Sequence, residues 1–272
     1  YIIFRKFLGN TTSFFLSLIF LVHPINVEAV SYISSLQIVI SMLFGLLALV
    51  FSLNRKISPL FKFVLLFTLL LCSLFSKETG IIFIILLFPF IRIDSRSHFT
   101  KKEYLFTILS VFLSLIFYLF LRFFTGETMS VTSSSSSPVP IMQASFLERL
   151  LSLPSILFFY IETFFFPKDL AIAQHWMVEA INSSDFVIPF LFDILFFTLI
   201  LLPILYFVVK RKKGLAPYLF FLVWFLVSWI IHWNIIPIDM TVADRWFYFA
   251  IVGLLGLIGV VISELNISKK RS

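Results

Sequence analysis

Apolar runs of membrane-spanning length constrain this chain more than any other feature. Residues 36–53 read LQIVISMLFGLLALVFSL, and residues 104–122 and 186–209 are of the same kind. An α-helix rises about 1.5 Å per residue, so about 20 apolar residues cover a hydrocarbon core about 30 Å thick. Backbone amides in hydrocarbon must pair among themselves, which leaves helices or closed barrels. Barrel strands alternate apolar and polar residues, and these runs do not. The expected fold class is therefore all-α, a polytopic transmembrane helical bundle. Composition agrees, at 60% hydrophobic and 13% charged residues with 38 phenylalanines. A mean hydropathy of +1.07 lies far outside the range of water-soluble domains.

Eight segments are expected in the membrane: 13–22, 36–53, 60–75, 81–91, 104–122, 186–209, 216–232 and 246–263. Segments 13–22 and 81–91 are short and need neighbouring loop residues, a thin bilayer or burial in protein. A ninth segment, 148–166, carries Glu148, Ser152, Ser155 and Glu162 at helical spacing on one face. That pattern suits an amphipathic helix lying in the interface or packed against the bundle. Residues 123–147 hold VTSSSSSPVP and read as a flexible outer loop. The whole of 1–272 reads as one transmembrane domain.

Lysine and arginine orient such a bundle, because cytoplasmic loops collect them. If 148–166 does not cross, 16 of the 21 basic residues fall on one side. The other side keeps Lys77, Arg122, Arg149, Lys168 and Arg245. A crossing at 148–166 would erase the bias, so the first arrangement is preferred. The net charge of +7 is then an orientation signal and not a nucleic-acid footprint. The single cysteine, Cys72, excludes a disulfide framework and a cysteine metal site.

In this arrangement most acidic residues and three histidines gather on the non-cytoplasmic side. They lie in HPINVEAVSYISSLQ (23–37), SKETG (76–80), FPKDLAIAQHW (166–176) and HWNIIPIDMTVADRWFYFA (232–250). Each has a structural reading. Pro24 ends a helix, Asn26 and Glu28 start another, and the Trp and Tyr residues form an interfacial belt. A chemical reading also exists. Charged residues at membrane depth are costly and mark sites. Lys77 and Arg245 are candidates to bind a phosphate, with Lys168 a weaker one. His23, Glu28, Glu78, Asp169 and Asp244 are candidates to position a substrate or move a proton. No two histidines have a metal-binding spacing such as HxxxH, so no metal is expected.

Taken in order, these motifs resemble the membrane part of the transmembrane-and-tetratricopeptide-repeat O-mannosyltransferases and their bacterial relatives, within the GT-C superfamily. The resemblance rests on five stretches. They are His23–Pro24–Ile25–Asn26–Val27–Glu28–Ala29–Val30, Ser76–Lys77–Glu78–Thr79–Gly80 and Tyr118–Leu119–Phe120–Leu121–Arg122. Next comes Glu148–Arg149–Leu150 with Tyr160 and Phe166–Pro167–Lys168–Asp169–Leu170. The last is Val242–Ala243–Asp244–Arg245–Trp246–Phe247–Tyr248. It covers roughly residues 5–260.

The resemblance implies a GT-C-like bundle in the bacterial inner membrane or the endoplasmic reticulum, open to the outer or lumenal side. It implies transfer of a hexose such as mannose from a polyprenyl- or dolichyl-phosphate carrier to an acceptor hydroxyl on a protein or glycan. The lipid-linked sugar is then a substrate, and no separate cofactor is implied. It also implies that the principal catalytic carboxylate sits in an outer loop upstream of Tyr1. No tetratricopeptide repeat is visible in this chain. The main rival is a transporter or lipid flippase, which charges at membrane depth, short broken helices and an outer cavity also suit. It predicts inverted repeats, of which none is visible, and charges well inside spans, where only Asp193 and Glu162 qualify. A non-catalytic homologue is the third reading.

Overall fold

The protein is described by a computed structural model covering residues 1–54, 56–93, 99–126, 139–168, 170 and 172–269. The Ser-rich stretch 131–138 and the candidate Asp169 lie outside the described residues. Among the described residues the only β-structure is an isolated antiparallel bridge between Gln174 and Val242. All else that is regular is helical. The chain divides into two compact units, one holding Ile3–Tyr32 and Val131–Ser272, the other Ile33–Ser130.

The second unit contains α4 (Leu36–Ser52), α5 (Pro59–Ser76), α6 (Ile81–Ile93) and α7 (Lys101–Phe124). Helix α5 starts at Ser58, whose hydroxyl accepts from Phe61 N, with Pro59 in the first turn. Helix α7 starts with a capping box, Thr100 and Glu103 each bonding the other's backbone N–H. Small residues let these helices approach closely, as apolar helices in lipid require. Ser41 Oγ donates to Ser73 O at 2.9 Å, and Ser73 Oγ donates to Ser41 O at 2.8 Å. Gly45 lies against Phe83 so closely that a Cβ would stand 1.9 Å from the ring. Lys62, buried, pairs with Glu103 at 3.2 Å.

The first unit contains α1 (Ile2–Phe7), α2 (Asn10–Val22), α3 (Val27–Ser31) and α8 (Pro140–Gln143). It continues with α9 (Phe146–Phe165), α10 (Ile188–Val209), α11 (Leu215–Ile230) and α12 (Ala250–Lys269). Gly253 of α12 meets the α11 backbone, where a Cβ would stand 2.4 Å from Phe225 N. Gly259 receives Leu16 of α2. Trp224, Phe225, Trp229, Phe247 and Tyr160 are buried, and Trp224 Nε1 donates to Phe249 O at 3.0 Å. Pro189 has no N–H to offer the Asp185 carbonyl, and the Ser155 hydroxyl donates to that carbonyl instead.

Among the described residues, four helical stretches are long and apolar enough to cross a membrane: Ile33–Ser52, Pro59–Ser76, Lys101–Phe124 and Ser183–Val209. A fifth arises if Asn10–Val22 and Pro24–Ser31, bent by 55°, form one span. Leu215–Ile230 and Ala250–Leu265 are apolar but shorter. By length and composition, this is a membrane-embedded helical protein. Each of the eight segments expected from the sequence falls on a helix.

On helix α9, Glu148 and Glu162 are exposed, and Glu148 closes a capping box with Ser145. Ser152 is buried, and its hydroxyl accepts from Val178 N at 3.0 Å.

Candidate functional site

Lys77 and Glu78 lie together in the second unit, and Glu28, Asp244 and Arg245 lie together in the first. In the second unit, SKETG forms the turn between α5 and α6. Lys77 is extended and its N–H closes α5 on Ser73 O at 3.2 Å. Gly80 N returns to Lys77 O at 2.9 Å, and any Cβ at Gly80 would meet the Ser73 carbonyl carbon at 2.7 Å. The turn is therefore tight enough to require glycine, and it fixes where Lys77 and Glu78 emerge. They line a cavity of about 290 Å³ together with Gln37, Tyr118, Arg122 and Thr125.

Glu78 accepts from Arg122 at 2.7 Å, and Arg122 also donates to the Tyr118 hydroxyl. Burial by itself would push the Glu78 carboxyl up. The Arg122 hydrogen bond, its own backbone N–H and the charges of Lys77 and Arg122 outweigh that and hold it below the usual carboxylate range. Lys77, half-buried, makes no side-chain hydrogen bond or ion pair with any described residue. The cavity thus holds two cations against one carboxylate, with hydroxyls beside them. That is suited to an anion carrying phosphate-type oxygens. Tyr118 and Arg122 were visible in the sequence as the end of a motif. Their partnership with Glu78, 44 residues away from Arg122, was not.

In the first unit, a cavity of about 280 Å³ is lined by Pro24, Val27, Glu28, Ser31, Tyr32, Leu170, Ile172 and Asp244. Glu28 is on α3 and 8% exposed, and Asp244 opens a short 3-10 turn and is 3% exposed. Two carboxylates therefore share one largely apolar pocket. Arg245 binds Glu28 twice, through its backbone N–H at 2.8 Å and through its guanidinium. The same guanidinium reaches Ile172 O at 3.0 Å and Met240 Sδ at 3.1 Å. Arg245 is therefore committed to protein groups, unlike Lys77.

The loop that carries Asp244 and Arg245 is pinned along its length. Gln174 N donates to Val242 O at 3.0 Å, and Thr241 N to Gln174 O at 2.9 Å. Asn234 Nδ2 donates to Thr241 O at 3.0 Å. The Tyr160 hydroxyl lies 3.2 Å from both Ala243 O and Ala243 N, directly before Asp244. Tyr160 stacks on Phe247 at 5.4 Å. Nothing in the sequence spacing announced this clasp, because its members lie 83 residues apart.

His23 sits beside this pocket's helices but does not line it. Its Nδ1 accepts from Ile25 N at 3.3 Å and its Nε2 faces Phe164 O at 2.9 Å. With Nδ1 as acceptor, Nε2 carries the hydrogen and donates. The ring also stacks on Phe164 at 5.1 Å. Both ring nitrogens are thus used to pin the α2–α3 bend to α9. Lys168 is exposed and forms no part of either cavity. Among the described residues, no three metal-ligating side chains converge. Comparison with family models, with curated proteins and with solved structures returned no match.

Proposed function

We propose that this chain is the membrane domain of a glycosyltransferase. It takes a hexose, such as mannose, from a polyprenyl- or dolichyl-phosphate carrier and passes it to a hydroxyl of a protein or glycan. In this reading the apolar helices embed in a GT-C-like bundle whose site faces the non-cytoplasmic side. The membrane is the bacterial inner membrane or the endoplasmic reticulum.

The observation that carries the reading is the cavity at Lys77. An ammonium group without an ion-pair partner, beside Arg122 and several hydroxyls, stands at the ends of long apolar helices. A lipid-borne phosphate has the matching chemistry, with an apolar chain for the helices and anionic oxygens for Lys77. As the sugar leaves, negative charge grows on the carrier phosphate, and a fixed cation there lowers the barrier. In the cavity of the first unit, Asp244 has the chemistry to hold or deprotonate a hydroxyl. Glu28, held by Arg245, shapes the same wall.

The test is transfer of radiolabelled mannose from polyprenyl-phosphate mannose in membranes containing the full chain. Lys77→Met should lower transfer at least about tenfold, the loss of one charge-assisted contact worth roughly 1.4 kcal/mol or more. Asp244→Asn should lower the maximal rate more than the apparent carrier affinity. Wild-type transfer in Lys77→Met would remove the phosphate role. Movement of the carrier across the bilayer with no new glycosidic bond would favour the flippase, and neither activity would favour the non-catalytic homologue.

A further inference from the structure

The buried stripe of α10 runs Asp193, Phe196, Ile200 and Phe207. Three of these are apolar, as expected inside a membrane-length helix, and the first is a carboxylic acid 5% exposed. Helices α10 and α11 form an antiparallel hairpin. Phe207 meets Tyr218 at 5.3 Å near the turn, and Phe196 meets Trp229 at 6.1 Å farther along. Asp193 precedes Phe196 by about one turn on the same buried face of α10.

This end of the hairpin collects polar atoms that nothing satisfies. Asp193 Oδ1, Ser228 Oγ, Trp229 Nε1 and Trp233 Nε1 are all buried without a hydrogen-bond partner. An ionised carboxylate in such a place needs a cation. None is at hand among the described residues. Helix α11 contains no charged residue. On α9, Arg149 donates to Ala144 O and Ile235 O, and Glu148 and Glu162 are exposed. Asp185, on the turn before α10, takes the Asn182 side chain. Glu264 of α12 pairs with Lys212. His232 stacks on Trp246 at 5.0 Å.

We propose that Asp193 is a proton-binding site, its carboxyl carrying an exchangeable proton in the apolar interior of the α10–α11 hairpin. The ligand is the proton itself. Asp193 lines neither cavity, and the inference does not rest on the proposed function.

A hydrophobic carbodiimide attaches to protonated carboxyls in apolar surroundings, and so reads this state directly. The full chain, reconstituted in phosphatidylcholine vesicles, is treated at neutral pH and its peptides are mapped by mass spectrometry. The expected result is a stable adduct on Asp193 that falls about tenfold per pH unit once the pH passes the group's titration point. Asp193→Asn removes the adduct and confirms its position. If that variant does not fold, the wild-type peptide map alone decides. An Asp193 peptide that stays unmodified at neutral pH overturns the proposal. So does labelling that sodium ion suppresses, which would assign the carboxylate to a metal cation.

Discussion

Arg245 with Glu28 and Arg122 with Glu78 are both arginine–glutamate pairs at the ends of apolar helices, one in each unit. Their surroundings differ. The side chains of Arg245 and Glu28 are 14% and 5% exposed, whereas those of Arg122 and Glu78 are 26% and 51% exposed. The first pair also uses a backbone N–H and two further acceptors of the guanidinium. Removing one partner there strands a buried charge, while the second pair keeps access to water. One pair therefore builds a wall, and the other leaves a charged cavity able to exchange partners with a ligand.

The sharpest way to break this contrast is Glu28→Ala. It leaves Arg245 buried without its carboxylate, and the expected loss is about 3–5 kcal/mol of stability in detergent-solubilised protein. Chemical unfolding of Glu28→Ala, Arg245→Ala and the double variant would give the coupling, and near-additive losses would show that the pair is not a unit. Next come the close helix contacts. Gly253→Ala sets a Cβ against the Phe225 backbone, which cannot step aside, and should cost about 1–3 kcal/mol or more. Gly45→Ala meets the Phe83 ring instead, so Phe83→Leu in the same chain should recover much of its loss, and Gly253→Ala has no such rescue.

The smallest effect is at Glu78. Glu78→Gln should change stability by only about 0–1 kcal/mol, as for exposed pairs. Its sign follows from the depressed carboxyl. A native group that titrates below its ordinary 4.5 stabilises fully above that pH and loses its contribution as the pH falls through the native value. Wild type and Glu78→Gln should therefore differ only above this acid range and converge below it. A difference that grows on acidification would reverse the assigned direction. Measured midpoints between pH 3 and pH 7, values spanning about the carboxylate range, would show which holds.

Much of the helical architecture was legible because span length is a local property of sequence. The eight apolar segments correspond to helices, and Ser145–Phe146–Leu147–Glu148 and Thr100–Lys101–Lys102–Glu103 even carry the capping-box pattern in plain view. The candidate residues were legible as types but not as partners. Lys77 and Glu78 could be singled out from their charge in an apolar setting. That Glu28 holds Arg245 depends on a contact across 217 residues, which no spacing reveals. His23 shows the same limit, since a histidine pinned by Ile25 N and Phe164 O reads in sequence like one facing a substrate. Ser152 was assigned to a polar face because helical periodicity gives direction but not what lies there. Here Val178 N covers that direction and makes it interior.

The reciprocal bonds between Ser41 and Ser73 have a mechanical consequence. Each hydroxyl reaches the other residue's carbonyl, so the two helices are joined at one level by a matched pair of bonds. Sliding α4 past α5 by one helical turn, about 5.4 Å, would break both at once, with no water in hydrocarbon to take over. Gradual shear between these helices is thereby discouraged. The α4–α5 hairpin should translate and tilt as a single strut, leaving the bending to the turns at its ends.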